Sequence, residues 1–240
     1  MNKNLINLKR NDLLSVAVPS KTESYTPLPV STIFDVVDEV CAKNGMTIRK
    51  EILDARHGGN KQKMRFIFDA DDPKFGFELA ILNSYDKSIA LKAGIGATAM
   101  VCWNLQVMSE KHIHEKHTKE VDEEFYRFMV KEFEIQSDRV REANQKWDSY
   151  NEMNISINQR DAMVGDMFMS QELLNTEQIN TIRSCYEKPQ IQYKGLNPLT
   201  LNELYQHTTY AIRNEHPLTF LKTVKGVNEY FHTQFEILNG

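Results

Sequence analysis

The stretch that most constrains the fold runs from Met46 to Trp103, where apolar residues return at every second position and turn signals interrupt the run. A period of two is the mark of a strand that turns one face to a core. "MTIRKEILDAR" (46–56) and "KQKMRFIFDA" (61–70) flank "HGGN", whose paired glycines suit a hairpin turn. In the second run Met64, Phe66 and Phe68 alternate with Arg65 and Ile67. "DDPK" (71–74) reads as another turn, and "FGFELAIL" (75–82) places Phe75, Phe77, Leu79 and Ile81 on one face. "NSYDKS" (83–88) then separates this run from "IALKAGIGATAMVCW" (89–103). Asn, Asp and Ser bond their own backbone in tight geometry, so the hexapeptide is expected to be a turn.

A helix precedes these strands. Ile33, Val36, Val37, Val40 and Cys41 recur at helical spacing, with Ser31 or Thr32 as the expected cap and Gly45 at the left-handed position that ends a helix. A helix followed by two hairpins predicts an antiparallel sheet with helix packed on one face. From about residue 119 the period changes. Charges run throughout "KEVDEEFYRFMVKEFEIQSDRVREANQKWDSYNEM", with apolar residues at Val121, Phe125, Phe128 and Met129. One long helix is expected there, kinked near Ser137. Residues 158–187 read as helical up to Pro189, Thr200 and Glu203 have capping-box spacing, and one or two helices close the chain. The fold class is therefore α+β: an N-terminal helix plus an antiparallel sheet of hairpins, followed by an all-helical C-terminal half. Three segments are expected: an extended arm over 1–30, with Pro19, Pro27 and Pro29; an α+β sheet domain over 31–118; and a helical region over 119–240.

Charge and cysteine usage narrow the partners. The net charge is −4, so a surface for nucleic acid has to be a local patch on an acidic body. That patch is present: between Met46 and Phe66 stand Arg49, Lys50, Arg56, Lys61, Lys63 and Arg65, against Glu51 and Asp54 alone. Basic side chains on a β-ribbon track a phosphate backbone, and Ile48, Ile52, Phe66 and Phe68 beside them serve either for stacking or for the core. The opposing reading is a charged face turned to water. The cysteines Cys41, Cys102 and Cys185 form no CxxC pair, which argues against a cysteine-based zinc site and fits a reducing cytoplasm. No stretch is long and apolar enough for a membrane span, and no secretory signal is read at the N-terminus.

Two further motifs carry chemistry. His112, His114 and His117 lie within six residues, and on a helix His114 and His117 would share a face, with Glu110 one turn before His114. A metal ion is one reading of this cluster and a solvated connector is the other; Asp86 with the histidines, or Asp86 with Glu78, would be the site of a metal-dependent hydrolase. The "GIG" at 94–96 is followed by strand-like sequence rather than by the helix that a phosphate loop needs, so close strand approach explains it better.

The segments Asn83-Ser84-Tyr85-Asp86-x-Ser88 and Val101-Cys102-x-Asn104, with "TLNELYQHTTYAI" (200–212) and "NEYF" (228–231), carry a family likeness. The chain resembles the phage- and plasmid-like proteins grouped as domain of unknown function 932, over about residues 26–235. It departs from their pattern at Leu105, where glycine is common, and at Thr98-Ala99-Met100, where a basic residue is common. The resemblance implies a bacteriophage or other mobile-element setting and no established activity. At the level of fold alone, a helix ending in "KNG", long antiparallel strands and a further helix resemble single-strand annealing proteins, which assemble into rings and hold DNA in a basic groove. The leading expectation is thus a homo-oligomeric, non-enzymatic protein binding single-stranded DNA in recombination or replication in the host cytoplasm, without a cofactor. A phage factor acting on a host protein, and a metal-dependent hydrolase, are the alternatives.

Overall fold

Short helix α1 (Arg10–Leu14) opens the computed structural model, which describes residues 8–69, 75–99, 104–108, 113–115, 121–188, 196–213, 215 and 219–240. Arg10 anchors this N-terminal segment. Its guanidinium pairs with Asp38 at 2.6 and 2.8 Å, bonds Glu51, and lies 4.7 Å from the Phe34 ring centre. The Leu8 N–H reaches the Leu53 carbonyl at 2.8 Å.

Helix α2 (Val30–Asn44) starts one residue before the expected caps, with Pro29 at the N-cap and no side-chain cap there. The Tyr85 hydroxyl fills that role by accepting the Val30 N–H at 2.9 Å. Gly45 ends the helix at φ 63°, and the Met46 N–H returns to the Cys41 carbonyl at 3.0 Å, as the sequence predicts for a glycine in the left-handed region. β1 (Ile48–Arg56) and β2 (Lys61–Phe68) follow, joined by a 3₁₀ turn at His57–Gly59 in which Gly58 has φ 68°. β3 (Phe75–Ser84), β4 (Leu91–Ala99), β5 (Asn104–Met108) and β6 (Ile113–Glu115) complete the strands among the described residues. β1, β2, β3 and β4 are neighbours in that order, in an antiparallel sheet with β6 on β4.

The expected long helix is two, α3 (Val121–Glu134) and α4 (Gln136–Glu152), which break at Ile135 rather than Ser137. Residues 158–187 likewise hold two helices, α5 (Ile157–Met169) and α6 (Thr176–Glu187). Each begins at a full capping box, Ser156 with Gln159 and Asn175 with Gln178, which fixes two starts rather than one. α7 (Leu201–Ile212) is capped by Thr200, but the Glu203 carboxylate takes the Leu199 N–H at 2.8 Å instead of completing the box on Thr200. A single helix, α8 (Phe220–Asn239), closes the chain. Pro189 and the "DDPK" turn lie outside the described residues.

The chain forms two compact units. The first comprises Met1–Asp71, Gly76–Gly96 and Ser109–Arg139, and the second Asp72–Phe75, Ala97–Met108 and Val140–Gly240. In the first, Ile33, Val37 and Val40 of α2 and Phe125, Met129 and Phe133 of α3 share a core with Met64, Phe66, Phe68, Phe77, Leu79 and Ile81 of the sheet. Phe133 packs edge-on to both Phe68 and Phe77, with ring centres 5.2 Å apart in each case. The alternation that the sequence shows in β2 and β3 is real, but the second face is buried as well: Lys63, Arg65 and Ile67 of β2 and Glu78, Ala80 and Leu82 of β3 are all inside. In the second unit α7 is buried nearly all round among α6, α8 and β5.

Candidate nucleic-acid interface

Register decides what the basic ribbon presents. Arg56 stands opposite Lys61, Asp54 opposite Lys63 and Ile52 opposite Arg65, so Lys50, Arg56, Lys61, Lys63 and Arg65 share one face of β1 and β2. Arg49 does not join them. It occupies an irregularity between Ile48 and Lys50 and pairs with Asp69 at 3.2 Å.

Along that face the cations differ in depth. Lys63 is 4% exposed and lies 3.4 Å from Asp54, while Arg65 is 3% exposed and grips the Glu78 carboxylate with Nε and with Nη2, the latter at 2.7 Å. Burial pulls the Lys63 amine below its ordinary range, against the Asp54 charge and with help from Arg65. Lys50 is exposed, yet desolvation and repulsion from Arg65 also lower it. Lys61, half-buried, approaches Asp86 at 3.8 Å. Among the described residues the carboxylates of Asp54, Glu78 and Asp86 meet Lys63, Arg65 and Lys61, and two of these cations, Lys63 and Arg65, lie too deep to touch a phosphate. Lys50, Arg56 and Lys61 form the accessible part.

"NSYDKS" lies at the Lys61 end of this ribbon and is a turn that ties four segments together. Asn83 donates to the Leu28 carbonyl at 3.1 Å and to Gln62 Oε1 at 2.8 Å, and Gln62 in turn donates to the Gly59 carbonyl. The Ser84 hydroxyl donates to the Ile89 carbonyl and accepts the Ile89 N–H, closing the turn, while Tyr25 donates to the Ser84 carbonyl at 3.0 Å. The Tyr85 N–H bonds the Asn60 carbonyl at 2.8 Å, and its hydroxyl serves α2 as above. Only Asp86, Lys87 and Ser88 are exposed. Burial pushes the Asp86 carboxyl up, but the Ser88 hydroxyl and N–H, with Lys61 and His57, outweigh this and hold it below the usual range. The motif therefore fixes how the hairpin tips, the N-terminal segment and α2 meet.

Cys102, Val101, His112 and His117 lie outside the described residues. Asn104 falls on β5, and His114 on β6 in register with Lys92. His114 is thus on a strand, because β6 pairs with β4, so the shared helical face with His117 does not apply to it. Among the described residues no three His, Cys, Asp or Glu side chains gather as a metal site.

The second unit holds polar groups that composition does not reveal. Asn202, Gln206, His207, Thr208 and Thr209 are all buried on α7. His207 packs edge-on to Tyr186 at 4.4 Å, and the Arg160 guanidinium lies 4.4 Å from the centre of the same Tyr186 ring. Burial, with Arg160 nearby, pushes the His207 imidazole down to about 4. His207 Nδ1 and the Tyr186 hydroxyl have no hydrogen-bond partner among the described residues. The sequence signal for this group is the polar run "LNELYQHTTY" inside a helix that has no solvent face.

A helix on an antiparallel sheet, with a basic ribbon at its edge and a mostly helical second unit, defines the class of protein. The chain belongs to the family described as a domain of unknown function (DUF932), whose match covers residues 17–235. No curated protein and no solved structure matches it. Among the described residues no helix is long and apolar enough to cross a membrane.

Proposed function

We propose that the protein binds single-stranded nucleic acid along the β1–β2 ribbon, in recombination or replication on a mobile element in a cytoplasmic host setting, as a homo-oligomer and without catalysis. The observation that supports this reading is the crowding of one ribbon face by Lys50, Arg56, Lys61, Lys63 and Arg65, where Lys50 and Lys63 are both held below their ordinary range by desolvation and by Arg65. An incoming phosphate relieves that repulsion. Lys50, Arg56 and Lys61 make the contacts, and the buried pairs Lys63–Asp54 and Arg65–Glu78 hold the ribbon in shape. A single strand fits better than a duplex, because a phosphate chain lying along two strands needs no groove geometry.

The test is fluorescence anisotropy of a labelled oligonucleotide. Three phosphate contacts on a single strand give a log–log salt slope of about −2, so affinity falls roughly twentyfold between about 50 and about 200 mM salt. The Lys50→Ala/Arg56→Ala/Lys61→Ala variant, checked for its fold by circular dichroism, loses most of the binding and of the salt slope. Absence of binding at low salt, or unchanged binding by the variant, refutes the proposal.

A further inference from the structure

One carboxylate beside the basic ribbon carries a charge that its own turn does not need. Asp86 stands between β3 and β4, and register places this turn against the tip of the β1–β2 hairpin. Arg56 is opposite Lys61, Lys61 is opposite Ser84, and the Tyr85 N–H bonds the Asn60 carbonyl at 2.8 Å. Asp86 Oδ1 closes the turn by accepting the Ser88 N–H at 3.0 Å and the Ser88 hydroxyl. The neutral carboxamide oxygen of an asparagine closes such a turn as well. Asp86 Oδ2 accepts no hydrogen bond among the described residues. The Lys61 amine lies 3.8 Å from it, beyond the roughly 3.2 Å over which an N–H donates to oxygen. Lys87, next in the chain, sends its amine over the Tyr25 ring, 5.0 Å from the ring centre. The Asp86 side chain is 32% exposed, so a ligand lying on the ribbon can meet the carboxylate.

We propose that Asp86 is a specificity residue of the ribbon, whose Oδ2 takes the exocyclic amine of cytosine in preference to the carbonyl of uracil or thymine. This rests on the nucleic-acid reading of the ribbon and deepens it, from any single strand to one that presents an amine-bearing base at the hairpin tips. The argument is electrostatic. A carboxylate at the end of a phosphate-binding face repels the phosphates that Lys61 attracts. It becomes favourable only where the nucleotide offers a hydrogen-bond donor. In an unpaired strand those donors stand on the base edges that pairing would otherwise occupy. An acidic side chain accepting from cytosine N4 is the contact by which carboxylates read this base. Uracil and thymine place the acceptor O4 where cytosine has N4–H, so two oxygen lone pairs would meet there. The gap between Lys61 and Oδ2 leaves each group a partner of its own, the amine on a phosphate and the carboxylate on the base.

The test uses the full chain with labelled oligodeoxycytidylate and oligodeoxyuridylate of roughly eight nucleotides, read by fluorescence anisotropy at neutral pH and low salt. The two bases are both pyrimidines without a 5-methyl group, so they differ at the pairing edge and little in stacking. One charge-assisted bond gives a preference of about fivefold for cytosine. The salt slopes should be equal, because the phosphate contacts are the same for both. Asp86→Asn keeps Oδ1 for Ser88 and puts an N–H donor where Oδ2 stood, facing N4 of cytosine but matching O4 of uracil. The preference should then fall to parity or pass to uracil. If Asp86 only offsets the charge of Lys61, Asp86→Asn strengthens binding of both oligonucleotides by one common factor, and that result overturns the proposal. Equal affinities in the parent overturn it without recourse to any variant. Binding of both without preference leaves the ribbon reading standing, whereas binding of neither refutes that reading and this one together.

Discussion

Replacing Arg65 by Met tests whether the ribbon's charges are structural or free for a ligand. Arg65 is 3% exposed and Glu78 is 0% exposed, and the guanidinium binds both carboxylate oxygens. Removing it leaves the Glu78 carboxyl enclosed without its guanidinium, a change that costs about 3–5 kcal/mol, because the desolvation of the group is no longer offset. Against a typical domain stability of about 5–15 kcal/mol, this loss is a large fraction of the whole. Arg65→Met/Glu78→Leu removes both charges and fills similar volume among Ile52, Ile67, Ala80 and Leu82, so most of the loss returns and the coupling exceeds about 2 kcal/mol. Urea-dependent hydrogen exchange on peptides covering 61–68 and 75–84 measures this in the first unit. Trp147 fluorescence is unsuitable, since that residue belongs to the second. The double variant should retain oligonucleotide affinity within about twofold, because Arg65 positions the ribbon and does not meet the ligand. A loss under about 1 kcal/mol in Arg65→Met, or a double variant as unstable as the sum of the single ones, refutes the reasoning.

Two further outcomes follow from the same logic. Tyr85→Phe strips the acceptor from the buried Val30 N–H and should destabilise the first unit by about 1–3 kcal/mol, whereas Asp86→Ala, in an exposed turn, costs under about 1; hydrogen exchange in the same peptides gives the ranking, and the reverse order would show that the tie is not what holds the turn. His207 is held at about 4 in the folded chain, below the ~6.5 of an unfolded one. Above pH 6.5 neither form carries the proton and nothing changes; as pH falls toward 4 only the unfolded chain gains it, so stability drops by about 1.4 kcal/mol per unit. Trp147-monitored urea unfolding at about pH 7 and 4.5 should show the parent losing about 2–3 kcal/mol more than His207→Gln, and equal losses would contradict the assignment.

The features that could be read from the sequence are those written in local periodicity. The stripe Ile33, Val37 and Val40, the stop at Gly45, the turn at His57–Gly59 and the alternation of Met64, Phe66 and Phe68 all appear where the pattern puts them, because each depends on neighbours a few residues away. The start of α2 could not be read, since the group that satisfies the Val30 N–H is Tyr85, 55 residues on. The break at Ile135 was only displaced by two residues, as expected of a boundary set by packing rather than by a proline or glycine. The strand at His114 has no local signal, because two histidines at helical spacing carry no information about a strand partner 22 residues back, Lys92.

The basic ribbon shows most clearly why counting charges falls short of locating a site. Counted from the sequence, six cations against two acids make a patch. Register adds the carboxylates that the count leaves out: Glu78 comes from the next hairpin to meet Arg65, Asp86 from the turn to meet Lys61, and Asp69 from the end of β2 to meet Arg49. A charge matched in this way contributes little to long-range attraction, because its field is cancelled within a few ångströms. On that same face Lys50 and Arg56 stand on β1 next to Lys61 and above the two buried cations. The same pairing that lowers the number of possible phosphate contacts also holds the strands that present the remainder, so ligand affinity and the stability of the first unit should respond to different residues on the same ribbon.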